Sequence, residues 1–272
     1  MVIIMRHLIR LVLGLLAVAT LCFCGYQTVR YIMQNSASRE FNTELQHAVV
    51  ETRAAKTSET ETNQLSSVEE TEAAEQETAL QETAPIEVDF DALQEKSSDV
   101  IAWLYCPDTP INLPVVQAKD NDYYLYRLLD GTPNGSGTLF ADYRNDRDFL
   151  DGNTVIYGHN MKNGSMFGTL SRYKEQEYYE EHPVMWLLTR DKNYKVELFA
   201  GYVTQATSDA YVFAEDGEQI PELGAQAMRQ STFEAEVDIQ PGDRILTLST
   251  CSYEFQDARY VLQGKLRLLS TP

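Results

Sequence analysis

The hydrophobic and polar positions divide the chain into three regions of different character. Residues 11–26, LVLGLLAVATLCFCGY, contain no charged residue and no proline. Residues 51–85 are rich in Glu and Thr and contain almost no large apolar side chain. From residue 86 onward, short apolar runs alternate with turn residues almost to the end. The pattern therefore predicts an apolar N-terminal segment, a polar connecting segment and one folded domain.

Within the folded region, most apolar runs have the length and residue types of β-strands bounded by turns. The predicted strands are residues 111–117, 137–143, 153–159, 194–204, 244–250 and 260–269. Turn signals lie between several of them, such as Asp151-Gly152 and Pro241-Gly242. Residues 89–105 predict a helix followed by a strand, and short helices are expected at 166–173 and 222–233. The domain is thus expected to be mostly β, with its strands closed into a barrel and decorated by helices.

The apolar segment predicts a transmembrane anchor at residues 11–30. A membrane-spanning helix needs about 20 apolar residues, and the uncharged stretch can extend through Val29. A cleaved secretory signal is the alternative, but no small-x-small cleavage site follows closely. A lipoprotein is disfavoured because bulky Phe23 precedes Cys24. Arg6 and Arg10 predict that residues 1–10 stay in the cytoplasm and that the remainder lies outside the cell.

Residues 31–85 are predicted to form an acidic, flexible linker, a solvated spacer between the membrane and the folded domain, because their composition cannot bury enough apolar surface to offset chain entropy. Within them, residues 41–56 could be transiently helical. The predicted catalytic domain, residues 86–272, is long enough for one substantial core. It carries a formal charge of −14, from 16 basic and 30 acidic residues. That charge disfavours nucleic-acid binding.

Cysteine usage leaves two thiols for chemistry outside the membrane. Cys22 and Cys24 lie in the apolar segment, whereas Cys106 and Cys251 lie in the folded region. These two could form a disulfide, or one could be buried and the other reactive, and their spacing leaves both options open. Cys251 follows the predicted strand 244–250, which places its thiol beside a loop where it can be partly exposed.

Two further residues could act on such a thiol. Arg259 opens the next predicted strand, and antiparallel pairing of the two strands would bring Arg259 close to Cys251. A guanidinium next to a thiol favours the thiolate and offers donors to a developing oxyanion. His159 ends the strand 153–159, whereas His182 lies in an acidic stretch before a proline and is interpreted as structural. Taken singly, a buried cysteine, a surface arginine and a structural histidine are equally ordinary interpretations.

No glycine-rich phosphate loop, paired-cysteine spacing or histidine-rich cluster occurs in the chain. We therefore expect no cofactor and no metal ion.

The residues around Cys251 carry a resemblance to a known family. The string TLSTCSYEFQDAR, residues 247–259, resembles the signature of the sortases, in which a TLxTC strand end is followed by an arginine at the start of the next strand. Residues 153–173 resemble the histidine region of class B sortases, and the similarity runs colinearly over most of residues 88–270. The resemblance implies an eight-stranded sortase-type barrel with an N-terminal helix and a helix-bearing insertion at about residues 205–240.

The resemblance also implies roles for individual residues. Cys251 would be the nucleophile, His159 the general acid and base, and Arg259 the oxyanion-stabilising cation. The implied substrate contacts are Asn121, Leu125, Thr207, Tyr211, Val212 and Ser249. The enzyme would cleave a C-terminal sorting motif of secreted proteins through a thioacyl intermediate and transfer it to an amine of a peptidoglycan precursor or a pilin.

Two rival functions remain open at this point. The same three side chains could serve a cysteine peptidase that uses water as the acceptor. The domain could also be a non-catalytic surface module that keeps the fold and binds a partner without turnover.

Overall fold

A computed structural model describes residues 2–52, 82–214 and 217–269 of the chain. Its helices are α1 (Val2–Val49), α2 (Phe90–Lys96), α3 (Gln176–Glu181) and α4 (Ile220–Gln230). Its strands are β1 (Val50–Thr52), β2 (Ile86–Val88), β3 (Val100–Tyr105), β4 (Asn112–Val116), β5 (Leu139–Ala141), β6 (Asn153–Tyr157), β7 (Val184–Leu188), β8 (Asn193–Gln205), β9 (Ile245–Cys251) and β10 (Ala258–Leu268). Short 3-10 helices lie at Tyr123–Tyr126, Leu170–Lys174 and Asp209–Tyr211.

Strands β3 to β10 form a closed barrel in the order β10-β8-β7-β3-β4-β5-β6-β9. Most neighbours are antiparallel, but β4 pairs with β5, and β6 with β9, in parallel. The barrel interior is filled by buried apolar side chains, including Leu104, Leu113, Ile156, Leu198 and Leu248. The mostly β, eight-stranded barrel expected from the sequence is confirmed.

The predicted strands correspond to barrel strands, with ends that shift by one or two residues. The expected helix followed by a strand at 89–105 is present as α2 and β3. The prediction of a single helix at 166–173 is wrong. The chain first turns at Met166, which has a positive φ of 53°, and a 3-10 helix begins only at Leu170. Strand β7 and helix α3 were not predicted. Helix α3 is only six residues long and buries only Tyr178.

The insertion between β8 and β9 contains the expected helix. Helix α4 begins at Ile220, two residues before the prediction, and has a proline in its first turn. A proline is tolerated there because the amide that it lacks has no intrahelical acceptor. Its buried residues, Ile220 and Ala227, pack in a cluster with Phe199 and Val261 of the barrel wall.

The described part of the N-terminal region differs from the predicted flexible linker. Helix α1 continues to Val49, β1 pairs with β2, and Leu45 and Val49 are buried in a cluster with Phe90, Leu93 and Trp103. The linker prediction is therefore wrong for residues 31–52. The composition argument missed a sparse apolar stripe that is sufficient for one helix face. The acidic residues 53–81 lie outside the described residues.

Helix α1 also contains one segment that is long and apolar enough to cross a membrane. Its large apolar side chains from Leu11 to Met33 are exposed, whereas the apolar residues Leu45 and Val49 near its end are buried against the domain. An exposed apolar helix is what a membrane-spanning segment requires.

Candidate active site

The end of β9 and the start of β10 bring Cys251 and Arg259 face to face. The two strands are antiparallel, and their register makes Cys251 and Arg259 direct partners. The connecting loop closes tightly, because the amide of Ser252 donates to the carbonyl of Ala258 at 2.9 Å. Directly opposed residues in such a pair lie about 5 Å apart. The expected closeness of Cys251 and Arg259 is confirmed.

His159 reaches the same end of the barrel along the neighbouring strand. Strand β6 runs parallel to β9 with Tyr157 opposite Ser249, so His159 and Cys251 each lie two residues beyond that pair. The carbonyl of Cys251 accepts a hydrogen bond from Nδ2 of Asn160, the residue after His159, at 2.8 Å. Because β6 and β9 are parallel neighbours, the imidazole of His159 and the thiol of Cys251 lie at the same end of the barrel.

One contact fixes the tautomer of the His159 ring. Nε2 lies 2.7 Å from the carbonyl oxygen of Leu125. A carbonyl can only accept, so Nε2 carries the proton and donates it, and Nδ1 is the nitrogen free to take up a proton. The ring of Tyr126 lies 5.7 Å from the imidazole centroid. The loop before β5 thus orients the histidine.

A cavity of about 370 Å³ joins these groups. It is lined by Asn121, Leu125, Tyr126, Phe140, Tyr157, Gly158, His159, Ala206, Tyr211, Ser249, Thr250, Cys251 and Arg259. Four of the six expected substrate contacts are therefore at the cavity. Thr207 and Val212 are exposed and do not line it.

Two tyrosines form an aromatic wall of this cavity. The rings of Tyr157 and Tyr211 stack with centroids 6.3 Å apart and planes 13° from parallel. The hydroxyl of Tyr211 lies 2.8 Å from Oγ of Ser249, two residues before Cys251. Burial raises the pKa of Tyr211, although the Ser249 hydrogen bond and the charge of Arg259 oppose the rise. Tyr211 is thus a neutral hydrogen-bonding group beside the thiol.

A buried carboxylate behind the cavity was not predicted from the sequence. The side chain of Asp142 is fully buried and accepts hydrogen bonds from Asn121 Nδ2 at 3.1 Å and from the Tyr157 hydroxyl at 3.0 Å. Arg144 forms a two-pronged ion pair with it, at 2.9 and 2.8 Å. Burial alone would raise the pKa of Asp142, but the bonds from Arg144, Asn121 and Tyr157 lower it overall. Asp142 therefore holds two cavity-lining side chains while ionised.

Asn153 is a second residue that the sequence did not single out. Its Nδ2 donates to the carbonyls of Ala210 and Val212, at 3.0 and 2.9 Å, on either side of Tyr211. Its Oδ1 accepts from Oγ1 of Thr247 at 2.7 Å. Asn153 is buried at the start of β6. It therefore fixes the insertion at the point where Tyr211 enters the cavity.

The two cysteines of the folded region have different surroundings, and neither is in a disulfide. Cys106 is fully buried, and its sulfur contacts the Tyr173 hydroxyl at 3.8 Å and the Val184 carbonyl at 3.9 Å. Burial raises the pKa of the Cys106 thiol. Cys251 is partly exposed at the cavity. The sequence left open whether Cys106 and Cys251 form a disulfide. The structure shows one buried thiol and one accessible thiol.

Among residues 2–52, 82–214 and 217–269, no group of three or more His, Cys, Asp or Glu side chains is placed to hold a metal ion. The groups that meet at the cavity are a thiol, an imidazole and a guanidinium. Together they suffice for nucleophilic catalysis through a covalent thioester.

The family model and two similar curated proteins indicate the same family for this chain. The sortase domain model matches residues 104–267. Sortase B of Listeria monocytogenes is 40% identical over 179 residues, which are 64% of this chain and 72% of that protein. Sortase B of Staphylococcus aureus is 30% identical over 185 residues, which are 66% and 75% of the two chains.

Solved structures agree with this similarity. A Staphylococcus aureus sortase B–substrate complex superimposes with a TM-score of 0.63 at 28% identity, covering 66% of this chain and 85% of that one. The matched family model covers more than half of the chain and includes every strand that contributes to the cavity. The chain therefore belongs to the sortase family and, within it, to the class B sortases, which are cysteine transpeptidases.

Proposed function

We propose that this chain is a membrane-anchored transpeptidase that acts outside the cell on secreted proteins with a C-terminal sorting motif. Cys251 is the nucleophile, His159 the general acid and base, and Arg259 the oxyanion-stabilising cation. The observation that carries the proposal is the direct pairing of Cys251 with Arg259 at the mouth of a cavity that His159 also lines.

The first half of the reaction forms a thioester. The proton of the Cys251 thiol moves to Nδ1 of His159. The thiolate attacks the carbonyl carbon of the scissile amide, and the tetrahedral oxyanion that results is stabilised by the guanidinium of Arg259. The carbon–nitrogen bond then breaks, and the departing amine takes a proton from His159. The N-terminal part of the substrate remains attached to the sulfur of Cys251.

The second half transfers the acyl group. An amine of a peptidoglycan precursor or of a pilin attacks the thioester carbonyl, and His159 takes the proton from that nitrogen. Collapse of the second oxyanion forms the new amide and releases the Cys251 thiolate. No net oxidation or hydrolysis occurs, and one amide is exchanged for another.

The walls of the cavity suit an extended peptide. Leu125 and the rings of Tyr157 and Tyr211 provide apolar surface, while Asn121 and Ser249 provide hydrogen-bonding groups. An apolar cavity with a few convergent polar groups is typical of a specific ligand site. We propose that the residues before the scissile bond lie between these walls.

The proposed topology places residues 1–10 in the cytoplasm, the apolar part of α1 in the bilayer and the barrel outside. Arg6 and Arg10 precede the apolar segment, as expected at a cytoplasmic end. Anchoring raises the effective concentration of enzyme at the surface where secreted proteins and wall precursors are found.

The test uses the purified full-length protein in detergent and a mixture of peptides with candidate sorting motifs. We expect mass spectrometry to show an acyl group on Cys251, release of that group as a hydroxamate by hydroxylamine, and a new amide when a glycine-based amine is added. Cys251→Ala should abolish all three products, and Cys106→Ala should abolish none.

Each rival function gives a different result in this assay. If added amine never enters the product and only hydrolysed peptide accumulates, the chain is a cysteine peptidase. If no peptide acylates Cys251, the surface is a binding module and the proposed chemistry is wrong.

A further inference from the structure

Helix α1 does not end where its apolar segment ends. Beyond Met33 one face of the same helix is packed against the catalytic domain at the helical spacing of Gln34, Ser38, Leu45 and Val49. Ser38 is 3% exposed and Val49 only 2% exposed. Burial at intervals of three or four residues marks one continuous helix face. The change from exposed to packed side chains thus occurs within one turn.

Polar contacts fix this part of α1 along its length. At its beginning, Asn134 Nδ2 donates to the carbonyl of Gln34 at 3.0 Å. Further along, Gln46 Nε2 donates to the carbonyl of Asn112 at 2.7 Å. At its end, the amide of Asp89 donates to the carbonyl of Val49 at 2.8 Å. Helix α1 is therefore attached to the domain at both ends of its packed face.

The acidic segment is not what attaches this helix to the barrel surface. Residues 53–81 connect β1 to β2, which pair antiparallel with Thr52 opposite Ile86. The residues on either side of this segment therefore belong to the same small sheet. Just after this segment, Glu82 forms an ion pair with Lys195 of β8 at 2.6 Å and another with Arg267 of β10.

Helix geometry then sets the distance from the bilayer to the domain. A residue rises about 1.5 Å along a helix, so residues 11–29 span about 28 Å, close to the roughly 30 Å of a hydrocarbon core. Gln34 lies five residues, or about 7 Å, beyond Val29, and a headgroup layer is roughly 5–8 Å thick. Exposed Tyr26 and Tyr31 flank this boundary, where tyrosine is enriched in membrane proteins.

The domain loop that touches Gln34 is the loop that builds the cavity rim. Asn134, which bonds to Gln34, also donates its backbone amide to the carbonyl of Tyr126 at 3.0 Å. Arg127 and Pro133 form a β-bridge in the same loop. Tyr126 lines the cavity and is 58% exposed, and the carbonyl of Leu125 binds His159. Only two hydrogen bonds separate the membrane-proximal turn of α1 from the rim.

We propose that α1 and the catalytic domain move as one body, and that the cavity rim around Tyr126 lies in the phospholipid headgroup layer of the bilayer in which α1 is inserted. Residues 53–81 do not set the distance between the membrane and the barrel. The proposal rests on the membrane anchoring stated above. It implies that the enzyme acts on a sorting motif held at the bilayer surface and does not sample the space beyond it.

The test measures depth directly in the full-length protein in lipid nanodiscs that contain a phosphatidylcholine with a nitroxide on its headgroup. The protein carries Cys22→Ser, Cys24→Ser and Cys251→Ala, and the remaining Cys106 is fully buried, so that only an added cysteine takes a bimane label. One label is at Thr132→Cys, in the rim loop. The matched control is Asp191→Cys, beside Arg190, which pairs with Asp91 of α2 near the far end of the packed face of α1. The packed face of α1 runs from Gln34 to Val49, which are 15 residues, or about 22 Å, apart along the helix. The control site therefore lies near the end of that face that is farther from the apolar segment.

We expect the nitroxide to quench the label at 132 several-fold more strongly than the label at 191. Deleting residues 57–77 should leave this ratio unchanged, whereas a flexible Gly/Ser insertion directly after Met33 should abolish the difference. Equal quenching of the two labels in the parent protein would overturn the proposal, as would a ratio that changes on deletion of 57–77.

Failure of the anchoring itself is recognised separately. A protein that does not float with lipid vesicles disproves both the anchor and this inference. Transpeptidation is measured on the protein that retains Cys251, so loss of activity there bears on the proposed chemistry and leaves the depth measurement unaffected.

Discussion

Arg259 faces Cys251 across the β9–β10 pair and can assist the reaction in two separable ways. A nearby cation of any kind favours the thiolate. Only a guanidinium, however, presents several donors in a fixed plane to an oxyanion. The present contact of Arg259, from Nη1 to the carbonyl of Ala258 at 3.0 Å, leaves its other donors available to the cavity.

Arg259→Lys separates these two effects because it keeps the charge and removes the planar donors. We expect transpeptidation to fall by about 10²-fold or more, the loss typical of removing one oxyanion donor. The rate of Cys251 alkylation as a function of pH should change little. A variant with near-normal turnover would show that Arg259 acts through its charge alone.

Asp142 is the buried charge on which the cavity wall depends. Asp142→Asn keeps the shape but removes the charge that Arg144, Asn121 and Tyr157 share, and we expect a loss of about 2 kcal/mol in unfolding free energy. The KM for peptide should rise while the alkylation rate of Cys251 stays the same. Arg144→Ala, which leaves the bonds from Asn121 and Tyr157 in place, is the matched control and should affect KM less.

The same residue predicts a pH dependence of stability. The folded-state pKa of Asp142 is lowered, so its ionisation stabilises the fold above the unfolded value of 3.8, and that contribution disappears as the pH falls through the folded value. The melting temperature of the native protein should therefore drop more steeply below pH 3.8 than that of Asp142→Asn. Parallel melting curves for the two proteins would contradict this assignment.

At the scale of elements, the parallel β6–β9 pair determines which residues meet. Cys251 and His159 end apolar runs and Arg259 opens one, and the resemblance of the surrounding residues to the sortase signature singled out these three as candidates. Asp142 and Asn153 could not be predicted, since nothing local distinguishes a polar residue that will be buried by a distant loop. Asn153 bonds to Ala210 and Val212, which are 57 and 59 residues away. Contacts over such a sequence separation leave no signal in the local sequence.

Asn153→Ala tests whether the start of β6 positions the insertion. The change removes one donor from the buried carbonyl of Ala210 and one from the partly buried carbonyl of Val212, and we expect a loss of about 2–4 kcal/mol in unfolding free energy, measured by urea denaturation. The peptide KM should also rise because Tyr211 is no longer held in the cavity. Tyr211→Phe, which removes only the hydroxyl bonded to Ser249, should weaken binding without a comparable loss of stability. Equal stability losses in both variants would argue against a positioning role for Asn153.

At the scale of the whole molecule, the structure changes where the catalytic domain begins. Sequence composition predicted a boundary at residue 86, because residues 31–85 as a group are too polar to form a core. The described residues of that range nevertheless bury Leu45 and Val49 beside Trp103, with Phe41 packed against the same cluster. Average composition conceals such a stripe, since a helix needs only one apolar residue in three or four to pack. All eight barrel strands still lie beyond residue 86.

Two truncated proteins, one beginning at Gln34 and one at Ile86, test this boundary. Both keep the barrel and the cavity, so both should fold, but the shorter protein loses the strand partner of β2 and the burial of Leu45 and Val49. Burying one such side chain contributes about 1.5–3 kcal/mol, so the protein beginning at Ile86 should be less stable by about 3–6 kcal/mol in urea.

Leu45→Ala in the longer protein is the control and should account for about 2–5 kcal/mol. Because a domain of this kind has only about 5–15 kcal/mol to lose, the shorter protein should also turn over peptide less durably at elevated temperature. Equal urea midpoints for the two truncations would restore the boundary at residue 86 and would remove the packing argument for α1.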